Sequence, residues 1–189
     1  MTKYSYFEYF LSKVVDSNPG ESVADINLRL SAHSFSGLKS ILYFSCLIND
    51  DLFYTFDNFK AYLNGPVEVD IYENRKSKNL FSTFIFDGKR FKVIGENFIE
   101  TFEDLDFGIK SLIDNSISYL KSKGSVLCPD RNIPSHSTTA LVELSRSLSN
   151  KVWEECFYYN KYKGSMSKLF DNDPLLIDLE RSKFISKLV

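Results

Sequence analysis

Few side chains in this chain could do chemistry on a substrate. Cys128 and His136 lie close in sequence, and a thiol beside an imidazole is the elementary nucleophile–base pair of cysteine hydrolases. Such a pair needs a third group to orient the imidazole, and Leu127-Cys128-Pro129-Asp130 carries no cysteine-protease signature. Metal chemistry is equally starved. The chain has two histidines and three cysteines, with no Cys-x-x-Cys and no clustered His, so the four ligands of a zinc site are missing. Asp171-Asn172-Asp173 begins like a calcium loop, but Pro174 and the leucines after it break the ligand pattern, and the segment reads as a helix cap. There is no glycine-rich phosphate loop. The expectation is a protein that is not an enzyme and holds no cofactor or metal. A small hydrolase using Cys128 is the alternative of a different class.

Chemistry suited to binding is better represented. Aromatic residues make up 15% of the chain, with 17 Phe and 11 Tyr. Phe157-Tyr158-Tyr159 places three rings in a row, and a helix cannot bury all three on one face, so Tyr158 and Tyr159 are candidates for partner contact. Tyr4-Ser5-Tyr6-Phe7 raises the same question. Asn74-Arg75-Lys76-Ser77-Lys78, with Lys89, Arg90 and Lys92, is the one local basic concentration; it suits an acidic partner surface or else is a solvated loop. Tyr72 and Arg75 complete the candidate partner-binding set. Net charge is −2 and the pI about 5.8, so no nucleic-acid footprint is expected. No apolar run is long enough to span a bilayer, no signal peptide is read at the N-terminus, and the odd, scattered cysteines fit a reducing compartment. These features predict a cytoplasmic protein without membrane association.

The elements that must position these residues are mostly helical. Ser5 to Glu8 fits a capping box, and Phe7, Phe10, Leu11, Val14 and Val15 follow at helical spacing. Residues 21–36 fit either a short helix or an extended piece. A helix from Gly37 through Ile48, capped by Ser34 or Ser36, is apolar around most of its circumference and so central to the core. A polar turn, Asn49-Asp50-Asp51, precedes the aromatic run Leu52 to Phe56. The next helix is predicted from Asp57 to Leu63, with Phe59, Tyr62 and Leu63 inward, closed by Gly65 and Pro66. A further helical turn or two is expected within 67–75. Thr83 to Ile94 reads as a β-hairpin turning on Asp87-Gly88. Leu105 to Leu120 carries a helical stripe ended by Gly124. Residues 125–135, with Pro129 and Pro134, read as a loop. Ser137 is expected to cap a helix with Leu141, Leu144 and Leu148. Residues 150–159 form another, with Trp153 inward, and Asp173-Pro174 opens the last. The fold class is mainly α with a small β-hairpin (α+β), a single domain over 1–189 with about seven helices.

Within this frame a resemblance emerges. Ile41-Leu42-Tyr43-Phe44, then Ala61-Tyr62-Leu63-Asn64-Gly65-Pro66-Val67 and Tyr72, resembles the signature of the Panacea domain, the SocA-like antitoxin domain of bacterial and phage toxin–antitoxin systems. Leu141-Val142-Glu143-Leu144-Ser145-Arg146 and Trp153 are similar to a later family motif. Departures mark a divergent member: Ser40 stands where the family has lysine, with Lys39 one position earlier; Tyr62 stands for tryptophan; Ser145-Arg146 replaces a Thr-His pair. The resemblance makes Tyr43, Tyr62, Gly65, Pro66, Val67 and Trp153 the scaffold motif. It implies an antitoxin that neutralises a cognate toxin, encoded by an adjacent gene, through direct protein contact. One family member acts as an adaptor delivering its toxin to a ClpXP-type protease, which makes such a protease a second implied partner. The alternative within binding proteins is a phage- or mobile-element-encoded inhibitor or proteolytic adaptor with another protein target. Homo-oligomerisation is left open.

Overall fold

The protein is described by a computed structural model covering residues 2–62, 65–95, 100–122, 124–125, 128–132, 138–148 and 182–186. In chain order the elements are α1 (Lys3–Val14), α2 (Val23–Ser31), α3 (Phe35–Ile48), α4 (Leu52–Thr55), β1 (Phe59–Tyr62), β2 (Gly65–Glu68), α5 (Val69–Asn74), β3 (Phe84–Phe86) and β4 (Phe91–Val93). A 3₁₀ turn (Glu100–Phe102), α6 (Phe107–Ser122), β5 (Gly124–Ser125), β6 (Cys128–Asn132) and α7 (Thr138–Leu148) follow, and residues 182–186 are helical. The class is mainly helical with small β elements, as the sequence predicts. Each sheet is a two-stranded antiparallel hairpin: β1–β2, β3–β4 and β5–β6.

Helix α3 is the centre. Leu38, Ile41, Tyr43, Phe44, Cys46 and Leu47 are all fully enclosed, as expected of a helix apolar around most of its girth. It packs against α6, α7 and β2. Ser34 caps it, accepting from the Gly37 N–H at 3.1 Å, so the helix begins at Phe35. At its far end the Asn49 amide donates to the Leu112 carbonyl and to Ser116 Oγ, which in turn donates to the Ser45 carbonyl. That chain satisfies helix-end polar groups inside the α3–α6 contact. Phe44 stacks on Phe184 with centroids 4.9 Å apart, tying residues 182–186 to the core.

Four sequence expectations are corrected. The segment 57–63 is not a helix. Phe59 and Ala61 are buried while Lys60 and Tyr62 are half-exposed, the period of a strand, and β1 pairs with β2 from Phe59↔Glu68 to Tyr62↔Gly65. Gly65 does adopt a left-handed φ, 87°, but in a hairpin and not at a helix end. Pro66 sits in a two-stranded ribbon, where a missing N–H is tolerated.

The capping box at Ser5–Glu8 does not form. Thr2 caps α1 instead. Glu8, 1% exposed, accepts from the backbone N–H groups of Thr83 (2.7 Å) and Phe84 (2.9 Å) and from Ser82 Oγ (3.0 Å). A long-range task has taken the carboxylate, docking β3 on α1. The hairpin around Asp87-Gly88 is present, but its turn pivots one residue later. Asp87 N–H donates to the Arg90 carbonyl, Gly88 alone takes a positive φ (102°), and the Asp87 carboxylate accepts from the N–H groups of Lys89 and Arg90. Finally, residues 125–135 are not simply a loop, since β5 and β6 pair there despite Pro129. The ambiguous region 21–36 resolves into α2, capped by Ser22.

Candidate functional site

Two clusters of charge stand out among the described residues, and they are built in opposite ways. The first gathers around Lys3. Its ammonium donates to Asp57 (2.5 Å), Glu68 (2.7 Å) and Asp70 (2.5 Å). The elements explain the convergence. Lys3 is the first residue of α1, while Glu68 and Asp70 flank the junction of β2 and α5. Glu68 also caps α5, accepting from the Ile71 N–H at 2.9 Å, and Asn58 donates to Asp70 at 2.9 Å.

Burial alone would lower the Lys3 pKa, but the hydrogen bonds it donates to Asp57, Asp70 and Glu68 overcome that and hold the ammonium above its ordinary range. The pKa of Glu68, whose side chain is 1% exposed, is raised as well, which favours the neutral carboxyl. Burial pushes its carboxyl up, and Lys3 and the Ile71 N–H only partly offset that. Both groups hold their protons more tightly, but in Lys3 the hydrogen bonds together outweigh burial, whereas in Glu68 burial outweighs the hydrogen bonds, one ammonium being shared among three carboxylates. Oxygens of Asp57, Glu68 and Asp70 lie within 4.8 Å of one another, a spacing that could hold a cation. Lys3 donates to all three, so the position is filled by the protein's own ammonium and the cluster reads as structural.

The second cluster joins α3, α5 and β3. Phe35 stacks on Tyr72 (centroids 6.0 Å apart, 28° between planes), Phe86 meets Phe35 edge-on at 5.6 Å, and Tyr62 lies 5.7 Å from Tyr72. Two cations lie over these rings. The Arg75 guanidinium is 4.1 Å from the Tyr72 centroid, 5.5 Å from Phe35 and 5.3 Å from Phe86. Lys39 Nζ is 5.9 Å from Phe35 and 5.8 Å from Tyr72.

Helical spacing places each cation beside its ring, Phe35 with Lys39 at i,i+4 and Tyr72 with Arg75 at i,i+3. Lys39 is 8% exposed and, among the described residues, has no hydrogen bond or ion pair. Burial first, and the Arg75 charge second, push its pKa down to about 8. Arg75 Nη1 donates to the Tyr72 carbonyl, while Nε is buried with no hydrogen-bond partner. Cation–π attraction returns about 0.5–2 kcal/mol per contact, less than an ion pair would provide at the same depth.

The predicted site residues divide accordingly. Tyr72 and Arg75 come together, and Arg75 leaves the solvated loop assigned to it by packing on rings. Lys76, Lys78, Lys89 and Arg90 stay exposed, and Lys92 pairs with Asp87 at 3.0 Å. Of the scaffold motif, Tyr43 is fully enclosed in α3, and Gly65, Pro66 and Val67 are buried in β2. Tyr62 lies in β1 with its ring at the second cluster. Trp153, Tyr158, Tyr159, His136 and Asp171 to Asp173 lie outside the described residues, and Cys128 is described only as backbone in β6. Cys46 is fully buried, which raises its thiol pKa well above the ordinary value and makes it inert.

Lys39 was missed as a site residue. Its signal was a lysine on a helix otherwise apolar all round, four residues after an aromatic. The Lys3 cluster had a weaker signal in the alternating acids Glu68 and Asp70. No helix among the described residues is long and apolar enough to cross a membrane. No protein-family model, curated protein or solved structure matches this chain.

Proposed function

We propose that this chain is a non-enzymatic binding protein of the antitoxin type, acting in the cytoplasm, which neutralises a cognate toxin by holding it in a protein–protein complex. One observation carries the reading. Lys39 and Arg75 share a set of aromatic rings, and among the described residues neither has an acidic partner. The fold gives Lys3 three carboxylates and gives these two cations none among the described residues, which supports a counter-group supplied from outside. Aromatic rings and arginine are the residues in which binding energy concentrates at protein interfaces. The resemblance of Tyr43, Tyr62, Gly65-Pro66-Val67 and Tyr72 to the Panacea signature supports the choice of antitoxin over other binding roles. Among the described residues, the Cys46 thiol is buried and the carboxylate group is filled by Lys3, so neither offers a competing site.

Co-expression tests the reading. The product of an adjacent gene is expected to arrest growth alone, to be harmless together with this chain, and to co-purify with it at fixed stoichiometry. A toxic neighbour that this chain neither binds nor neutralises, or the absence of any toxic neighbour, would overturn it.

A further inference from the structure

We propose that Lys39 and Arg75, walled by Phe35, Tyr62, Tyr72 and Phe86, form a recognition site for one carboxylate side chain, Asp or Glu, presented by the protein partner. The inference rests on the binding-protein reading above and names the chemistry of its contact. Two positive groups lie over the same stacked ring pair, Phe35 and Tyr72, with distances of 4.1 to 5.9 Å to the centroids. Proteins rarely bury like charges side by side without an anion between them. Here the described residues supply none, and the Arg75 Nε–H is buried unsatisfied.

The missing group is defined by what is already in use. Arg75 Nη1 is committed to the Tyr72 carbonyl. That leaves part of a guanidinium fork and one ammonium, a donor set matched to the two oxygens of a carboxylate. A phosphate brings more oxygens and a heavier hydration shell, which four aromatic rings cannot replace. The rings favour a carboxylate whose neighbours are apolar, because their remaining surface then packs against the partner chain.

The test uses the full chain, labelled with ¹⁵N, titrated with the blocked tripeptide acetyl-Phe-Glu-Phe-amide, its Gln counterpart and inorganic phosphate. The Glu peptide is expected to shift the backbone amides of residues 35–39 and 72–75 saturably, with the Gln peptide at least about tenfold weaker, the loss of one charge-assisted contact. Lys39→Met and Arg75→Met should each weaken the Glu peptide about tenfold while leaving amides of α6 unmoved, which certifies the fold. If either variant fails to fold, Lys39→Gln and Arg75→Lys replace it. Equal binding of the Glu and Gln peptides, shifts elsewhere on the surface, or phosphate binding tighter than the Glu peptide would overturn the proposal. Its failure is distinct from that of the antitoxin reading. A neutralising complex that survives Lys39→Met with Arg75→Met sinks the site alone, whereas carboxylate binding without any toxic neighbour sinks the antitoxin role alone.

Discussion

Lys3 and Lys39 are the same side chain in two opposite settings. Lys3 sits at the start of a helix with three carboxylates drawn to it from β2, α5 and the segment before β1. Lys39 sits within α3, more deeply enclosed, with rings for neighbours and the positive charge of Arg75 acting on it. The Lys3 cluster ties three separate parts of the chain together. The Lys39 cluster costs stability, since burying a charge without a counter-ion is expensive and cation–π contacts repay only part of it. A cluster that costs stability is where a binding function is the better explanation, whereas the Lys3 cluster is explained by the fold alone.

The comparison can be broken at either end. Lys3→Met should have the largest effect, a loss of about 3–5 kcal/mol, because it strands the buried Glu68 carboxylate beside Asp70. Urea denaturation reads this directly, and a loss under about 1 kcal/mol would make the cluster ornamental.

Lys39→Met should do the reverse and stabilise the fold at pH 7 by about 1–3 kcal/mol. Its pH dependence follows from the pKa. Lys39 ionises near 10.5 when unfolded and at about 8 in the fold. Between those values the unfolded chain holds the proton and the fold does not, so the native protein gains stability as pH rises through that window. The advantage of Lys39→Met should therefore be full below about pH 8 and fade towards pH 10.5. Parallel denaturation curves for the two proteins at pH 7 and pH 10 test this, and a constant difference would refute the buried-charge account. The smallest effect is the coupling. In Arg75→Met the Lys39 pKa should rise, and a double-mutant cycle should return about 0.5–1 kcal/mol of repulsion between them.

Much of the fold was legible because periodicity is local. The apolar faces of α1 and α6, the all-round apolarity of α3 and the hairpin near Gly88 each follow from one stretch of chain. Segment 57–63 failed because the four residues of β1 cannot separate two periods: Phe59 and Tyr62 fit a helix, Phe59 and Ala61 a strand. Glu8 failed because the capping pattern is local and the competing partners, Thr83 and Phe84, are not. The candidate site was half legible for the same reason. Tyr72 and Arg75 lie in the last turn of α5 and at its C-cap, but Phe35, Lys39 and Phe86 reach them only through tertiary packing, which no spacing rule encodes.

The β3–β4 ribbon carries one more consequence. The Thr83–Ile94 and Asp87–Arg90 bonds fix the ladder so that Val93 directs its N–H and carbonyl away from β3. The Asn27 side chain meets both, Oδ1 accepting from the Val93 N–H at 2.8 Å and Nδ2 donating to its carbonyl at 3.3 Å. A single amide thus stands in for a third strand at that rung. The outward N–H and carbonyl of that rung, which would otherwise offer a pairing edge to another strand, are thereby covered from within the chain.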